Sequence, residues 1–282
     1  MFQSDLLKNK RILITGGGTG LGRAMAERLL QLGAMTYICG RRADVLEQTC
    51  KELASSTAGE IRSLVCDVRD RDAVEQTIDN IWRAGPLNVL VNNAAGNFIA
   101  RTEELSPRAW EAVLGIVLNG TIHMTMACGR RWLRSGQQAT VLNISTTYAA
   151  TGSGSAFVVP SAVAKAGVEA LTRSLAVEWG PRGVRLNGIA PGPIPTEGAF
   201  SRLLPRKEIE EQSLERNPMR RFGTAAEFAN LAVFFVSDGC TYLNGETIIM
   251  DGGAWLRGAS GFGYLDELLT DADWQSLRPK KK

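Results

Sequence analysis

The sequence predicts an α/β fold in which about seven parallel strands form one doubly wound sheet with helices on both faces. Short apolar runs alternate with amphipathic stretches of helical period, the pattern of strands joined by helical crossovers. The strand runs are apolar enough to be covered on both faces, as parallel sheets are. The first strand also leads through a glycine-rich turn directly into a helix.

The elements follow in order. Arg11 to Thr15 is a short β-rich run, and the amphipathic stretch Leu21 to Leu32 follows its glycine turn. Met35 to Cys39 and Ile61 to Cys66 read as the next strands, separated by a helix over Ala43 to Ser55. A helix over Arg71 to Ala84 precedes the strand Val89 to Asn92, and Pro107 to Arg134 reads as one long helix. Ala139 to Ser145, the helix Ala162 to Trp179 and Val184 to Ala190 continue the rhythm, with right-handed crossovers throughout. Residues 191–224 interrupt it. They are rich in proline and charge, with a short helical pattern around Arg206 to Gln212, as expected of a substrate-binding flap. A helix over Ala225 to Ser237 and a strand over Thr247 to Met250 complete the sheet. Residues 252–282 form a C-terminal extension whose segment Tyr264 to Leu269 has a helical pattern. One domain over residues 1–282 is expected.

Composition narrows the function. Lys+Arg 32 against Asp+Glu 29 is too balanced for a nucleic-acid protein, and Arg130, Arg131 and Arg134 read as a solvated helix face. The five cysteines are scattered without Cys-x-x-Cys spacing, which fits a reducing compartment. The ten residues before the first strand leave no room for a signal or transit peptide. No apolar run is expected to approach the ~18 residues of a membrane span, so a soluble cytoplasmic protein without membrane insertion is expected. The end, Arg278-Pro279-Lys280-Lys281-Lys282, is not a peroxisomal Ser-Lys-Leu address. His123 is the only histidine, which excludes a multi-histidine metal site; it reads as a packing or surface residue, and no metal is expected.

The turn Thr15-Gly16-Gly17-Gly18-Thr19-Gly20-Leu21-Gly22 stands between a strand and a helix, the setting of a dinucleotide site in a Rossmann-like fold. Gly16 permits the tight turn, Gly20 lets the backbone approach a pyrophosphate, and Gly22 lets the helix pack close to the sheet. Thr15, Gly18, Thr19 and Leu21 belong to the same cradle. At the end of the second strand, Cys39-Gly40-Arg41-Arg42 carries no acid that would bind ribose hydroxyls and repel a 2′-phosphate. Guanidinium pairs well with phosphate, so NADPH/NADP+ is expected over NADH, with Arg41 the better candidate because it follows the turn glycine. The alternative is that both arginines are solvated at the helix start.

From about Lys10 to Asp251 these motifs resemble the short-chain dehydrogenase/reductase family. Cys66-Asp67-Val68 resembles its adenine pocket, through Asp67 and Val68. Asn92-Asn93-Ala94-Ala95-Gly96 resembles its strand-four motif, with Asn93 facing the cofactor. Pro191-Gly192-Pro193-Ile194 resembles its nicotinamide loop, through Pro191, Gly192 and Ile194. In that family the residue four before the lysine is normally a tyrosine acid, but here Ser161 precedes Lys165. A serine hydroxyl is far too weak an acid to replace a phenol of pKa about 10. Ser161 and Lys165 share one helical face.

A phenol lies nearby at Tyr148. With Phe157-Val158-Val159-Pro160-Ser161 and Gly198-Ala199-Phe200-Ser201-Arg202, its segment resembles the NADPH-dependent 2,4-dienoyl-CoA reductases of the mitochondrial type. There the tyrosine precedes Phe-Val-Val-Pro and serine takes the usual tyrosine place. One departure is that Tyr148 and Lys165 are 17 residues apart, two more than in those relatives, with the extra length between Gly152 and Phe157.

The resemblance implies an acyl-CoA substrate, a homotetramer and a role in unsaturated fatty-acid oxidation. Its implied catalytic residues are Tyr148, Asn119, Lys165 and Ser161, with Thr146 as a secondary hydroxyl. Substrate contacts fall to Arg202 in the flap and Phe98, with Arg69, Arg206 and Lys207 as weaker candidates. The alternatives are a reductase of 2-enoyl or 3-oxoacyl thioesters and a non-catalytic NADP-binding scaffold.

Overall fold

The computed structural model describes residues 2–196, 207–259, 270 and 272–273. Seven strands, β1 (Arg11–Thr15), β2 (Met35–Gly40), β3 (Ile61–Val65), β4 (Val89–Asn92), β5 (Ala139–Ile144), β6 (Val184–Pro191) and β7 (Thr247–Met250), form one sheet in the order β3-β2-β1-β4-β5-β6-β7. Every pairing is parallel. The sheet expected from sequence is therefore present, with strand boundaries shifted by no more than a residue or so.

Helices α1 (Gly20–Gln31), α2 (Ala43–Thr57) and α3 (Arg71–Ala84) follow the first three strands. The strands alternate their apolar side chains between two cores. Ile12 and Ile14 pack with Met25 and Leu29 on one face, while Leu13 packs with Ile78, Ile81 and Trp132 on the other. The first face is closed by the helix Ala225–Val236, which opens with a capping box in which Thr224 and Glu227 satisfy each other's backbone amides.

The expected long helix is three pieces: α4 (Pro107–Leu114), a π-helical turn over Gly115–Asn119, and α5 (Gly120–Ser135). Glycine and asparagine at the break are poor helix formers, and widened turns of this kind concentrate at functional sites. Pro107–Ser135 as a whole is long and apolar enough to cross a membrane, with a mean hydropathy of 1.4 over its best window. That corrects the expectation that no run approaches this length. Half of the window is buried inside the protein, and Met124, Ala127, Cys128 and Trp132 belong to the second core, so the stretch is a core helix.

Arg130 and Arg131 are not merely solvated: they pair with Glu75 and Asp79 of α3. His123 bonds through Nδ1 to the Val68 carbonyl at 3.0 Å; a carbonyl only accepts, so Nδ1 carries the proton and the ring has a packing role. The five cysteines are free thiols.

Two elements differ from expectation near the chain's chemistry. A four-residue helix, α6 (Thr147–Ala150), follows β5 and carries Tyr148. The next helix, α7 (Val159–Trp179), starts three residues before its expected start, with Pro160 in its first turn where a missing amide costs nothing. The short helix in the interruption runs over Lys207–Arg216. Residues 197–206, with Arg202 and Arg206, and the Tyr264 to Leu269 pattern lie outside the described residues.

The strand order reverses between β1 and β4, and the carboxyl ends of these strands part to leave a crevice. Hydrogen bonds fix its floor. Thr15 Oγ1 accepts from the Asn93 and Ala94 amides at 3.0 and 2.9 Å, and Asn93 Nδ2 donates to the Thr15 carbonyl at 2.9 Å. Beneath lies a buried polar ladder: Asn92 Nδ2 donates to Thr125 Oγ1 (2.9 Å) and Asn143 Oδ1 (2.8 Å), and Asn143 Nδ2 donates to Thr172 Oγ1 (2.8 Å). It ties β4, β5, α5 and α7 together below the crevice.

Candidate active site

A cleft of about 1090 Å³ opens along the carboxyl ends of the strands. The expected cradle residues from Gly16 to Gly22 line it, but Thr15 does not; it is buried as the bracket that holds Asn93. Gly16 and Gly20 have φ of +66° and +55°, the left-handed region that glycine enters freely. A Cβ on Gly22 would stand 2.3 Å from the Gly16 carbonyl oxygen, so only glycine allows α1 to begin this close to the turn. The N-terminal amides of α1 then face the space where a pyrophosphate fits.

At the adenosine end, Arg41, Arg42, Asp67 and Val68 line the wall as expected. Arg41 is exposed. Arg69 donates to Asp67 from Nε at 3.0 Å and from Nη2 at 2.5 Å. This bond holds the Asp67 carboxyl below the usual carboxylate range, with the Arg41 charge adding to it. Arg69 is thereby engaged as a tether and is not among the residues that line the cleft. At the opposite end, Pro191, Gly192 and Ile194 line the wall. Gly192 is fixed by its backbone amide, which donates to the Met250 carbonyl at 2.9 Å. Thr196 also lines the cleft, facing Gly20 across it; the sequence signal was only its position two residues past the proline-glycine loop.

The reaction centre lies between these ends. Ser161 and Lys165 share the inner face of α7, both buried. Lys165 Nζ donates to the Ile144 carbonyl at the end of β5. Burial disfavours its ammonium and pushes the pKa down to about 8, against a smaller opposing pull from Glu169 one turn along. Half-buried Tyr148 reaches this point from α6, its hydroxyl 3.0 Å from Ser161 Oγ. The 17-residue spacing thus does not prevent the meeting. The loop between them takes up the length through left-handed turns at Gly152 and Gly154, both at φ +72°. Ser145 Oγ and Thr146 Oγ1, on cleft-lining residues, are buried without a hydrogen-bond partner, which suits a wall completed by a bound polar group.

Two expected residues are not brought into the cleft. Asn119 ends the π-helical turn with an exposed side chain, and Ile116 lines the cleft from that turn instead. Phe98 packs against the small cluster of Val113, Val117 and Ala164, while its neighbour Ile99 lines the cleft. Helical period could not show which residue of the turn faces the cleft, because a widened turn changes which side chains face inward.

A family model described as enoyl-(acyl carrier protein) reductase matches residues 16–254. A probable 2,4-dienoyl-CoA reductase of Caenorhabditis elegans, described as (3E)-enoyl-CoA-producing, is 45% identical over 90% of this chain and 82% of its own length. One from Bacillus subtilis, described as (2E)-enoyl-CoA-producing, is 44% identical over 89% and 98%. A peroxisomal 2,4-dienoyl-CoA reductase of Danio rerio is 34% identical over 92% and 86%. These similarities do not single out the mitochondrial type. A crystal structure of a gluconate 5-dehydrogenase from Burkholderia cenocepacia in complex with NADP and tartrate superposes with a TM-score of 0.83 at 27% identity, covering 90% of this chain and 98% of that one. A glycine cradle, a buried lysine on the helix after β5 and a family match spanning nearly the whole sheet lead to one conclusion: the chain belongs to the short-chain dehydrogenase/reductase family of NAD(P)-dependent oxidoreductases.

Proposed function

We propose that the protein is an NADPH-dependent 2,4-dienoyl-CoA reductase that yields a 3-enoyl-CoA. The observation that carries this reading is the meeting of Tyr148 and Ser161 at 3.0 Å beside buried Lys165. A phenol comes from α6 to the point where serine holds the usual tyrosine place. The names of the relatives from C. elegans, B. subtilis and Danio rerio support the same substrate.

The glycine cradle, Arg41 and the Pro191 to Ile194 loop would hold NADPH, which supplies a hydride when bound. Hydride arriving at C5 of a conjugated dienoyl thioester drives charge through the double bonds onto the thioester oxygen. Tyr148 donates a hydrogen bond to that oxygen as the charge develops, and Ser161 keeps the phenol in place. The Lys165 ammonium adds a positive charge beside them. A proton returned at C2 leaves the 3-enoyl product. A 3-oxoacyl reductase of the usual kind would instead carry a phenol at position 161, and a serine hydroxyl is far too weak an acid to replace it. Residues 191–224 are proposed as the flap over the thioester, with Arg202 reaching coenzyme A phosphates, and the assembly as a homotetramer.

NADPH oxidation measured side by side with 2,4-dienoyl-CoA, 2-enoyl-CoA and 3-oxoacyl-CoA tests the function; preferred consumption with either of the latter two would refute it. The cofactor assignment has its own test. Arg41→Ala is expected to weaken NADPH binding by roughly 10 to 100-fold, the value of a charge-assisted contact to phosphate, with little effect on NADH. Fluorescence titration of both cofactors reads it, and equal losses for the two would remove Arg41 from the 2′-phosphate.

A further inference from the structure

Two apolar side chains stand exposed on the wall of the cleft. Ile99, in the loop after β4, is 48% exposed, and Phe157, two residues before α7, is 57% exposed. Both line the cleft, and their loops are joined where the Ala100 amide donates to the Phe157 carbonyl at 2.9 Å. A lone exposed apolar side chain needs no explanation. Two of them on hydrogen-bonded loops at the wall of a reaction cleft call for one.

Phe157 also has φ +63°, a left-handed conformation that a bulky L-residue enters only against steric resistance. Glycine would remove that strain, and Gly152 and Gly154 take left-handed positions in the same loop. The ring is therefore retained at a position whose backbone favours a residue without one, and strain held at a cleft wall points to use. Phe157 lies four residues before Ser161, where the phenol arrives, and both line the cleft. A thioester substrate extends from that centre in two directions. Its coenzyme A arm is polar and anionic, and its acyl tail is hydrocarbon. An apolar pair suits the tail.

We propose that Ile99 and Phe157 form an acyl-chain subsite that selects dienoyl thioesters carrying several methylenes beyond the diene over the six-carbon substrate. The inference rests on the reading of the protein as a dienoyl-CoA reductase. Burial of one methylene contributes about fourfold in affinity, so two or three methylenes against the pair give at least tenfold.

Saturated acyl-CoA thioesters bind without reacting, which separates the subsite from the chemistry. Calorimetric titration of the NADP+-loaded protein with butanoyl-, octanoyl- and dodecanoyl-CoA is expected to show affinity rising by about tenfold or more along the series. In Ile99→Ala and Phe157→Ala that rise shrinks to about threefold or less. Phe157→Gly, which removes the ring and relieves the backbone together, shows the same loss without a lower melting temperature. In turnover, the kcat/KM ratio of dodecadienoyl-CoA to hexadienoyl-CoA falls about tenfold in Phe157→Ala. Affinities independent of chain length in the unmodified protein, or variants that keep its full rise, overturn the subsite. A rise that the variants abolish, in a protein that reduces no dienoyl-CoA, supports the subsite and refutes only the reductase reading.

Discussion

Tyr148→Phe is expected to lower turnover of 2,4-dienoyl-CoA by roughly 10² or more, the scale of losing one oxyanion donor, while NADPH still binds. The ring remains and only the hydroxyl is lost, so packing of α6 should survive. Ser161→Ala removes the partner 3.0 Å away but leaves the phenol, and its loss of turnover should be smaller. Single-turnover rates at saturating NADPH separate chemistry from binding. Near-normal rates in Tyr148→Phe with a severe loss in Ser161→Ala would move the chemistry to the serine.

Lys165→Met is expected to abolish most of the turnover, by about 10² or more, and yet to raise stability at pH 7. The lysine is buried with a carbonyl rather than a carboxylate as its hydrogen-bond acceptor, and its pKa lies at about 8 against the ordinary 10.5. That difference corresponds to about 3 kcal/mol of unfavourable ammonium burial. The lost bond to Ile144 takes back roughly 1–2 kcal/mol, so a net gain of about 1–2 kcal/mol remains for an apolar side chain of similar length. The sign of the pH dependence follows. Between about pH 8 and 10.5 the unfolded chain binds the proton that the folded protein has released, so stability of the apoprotein rises with pH across that window. Activity runs the other way, because kcat/KM falls above about pH 8 as the ammonium is lost. Melting curves and a pH–rate profile of both proteins read the two effects. A profile flat to pH 10, or full turnover in Lys165→Met, would sink the role given to the lysine.

Much of this site was legible in the sequence because glycine and parallel strands leave strong local marks. The cradle from Gly16 to Gly22, the arginine after Gly40 and the four-residue step from Ser161 to Lys165 each encode a local geometry, and each stands on the cleft wall. What the pattern left open was which neighbours share the wall: beside Asn119 the π-helical turn presents Ile116, and beside Phe98 the loop presents Ile99. Arg69 looked free until the fold brought its guanidinium onto Asp67. Such contacts depend on where a backbone turns in space, and the amino-acid pattern carries no mark of that.

The polar ladder under the crevice has a consequence for how the chain assembles. Asn92 and Asn143 meet across 51 residues of sequence, and their partners Thr125 and Thr172 come from two further elements. If β5 slid by one residue against β4, carboxamides and hydroxyls would be stranded in an apolar interior, each a costly orphan. The ladder therefore proofreads register, and it closes only after the slow, long-range pairing of parallel strands is complete. Since its Asn143 immediately precedes Ile144, whose carbonyl holds Lys165, competence to bind NADPH should emerge in the final refolding phase and not with earlier collapse. Stopped-flow refolding followed by NADPH fluorescence would show this as a lag behind the far-ultraviolet signal, and Asn143→Leu should blur the lag by letting misregistered chains persist.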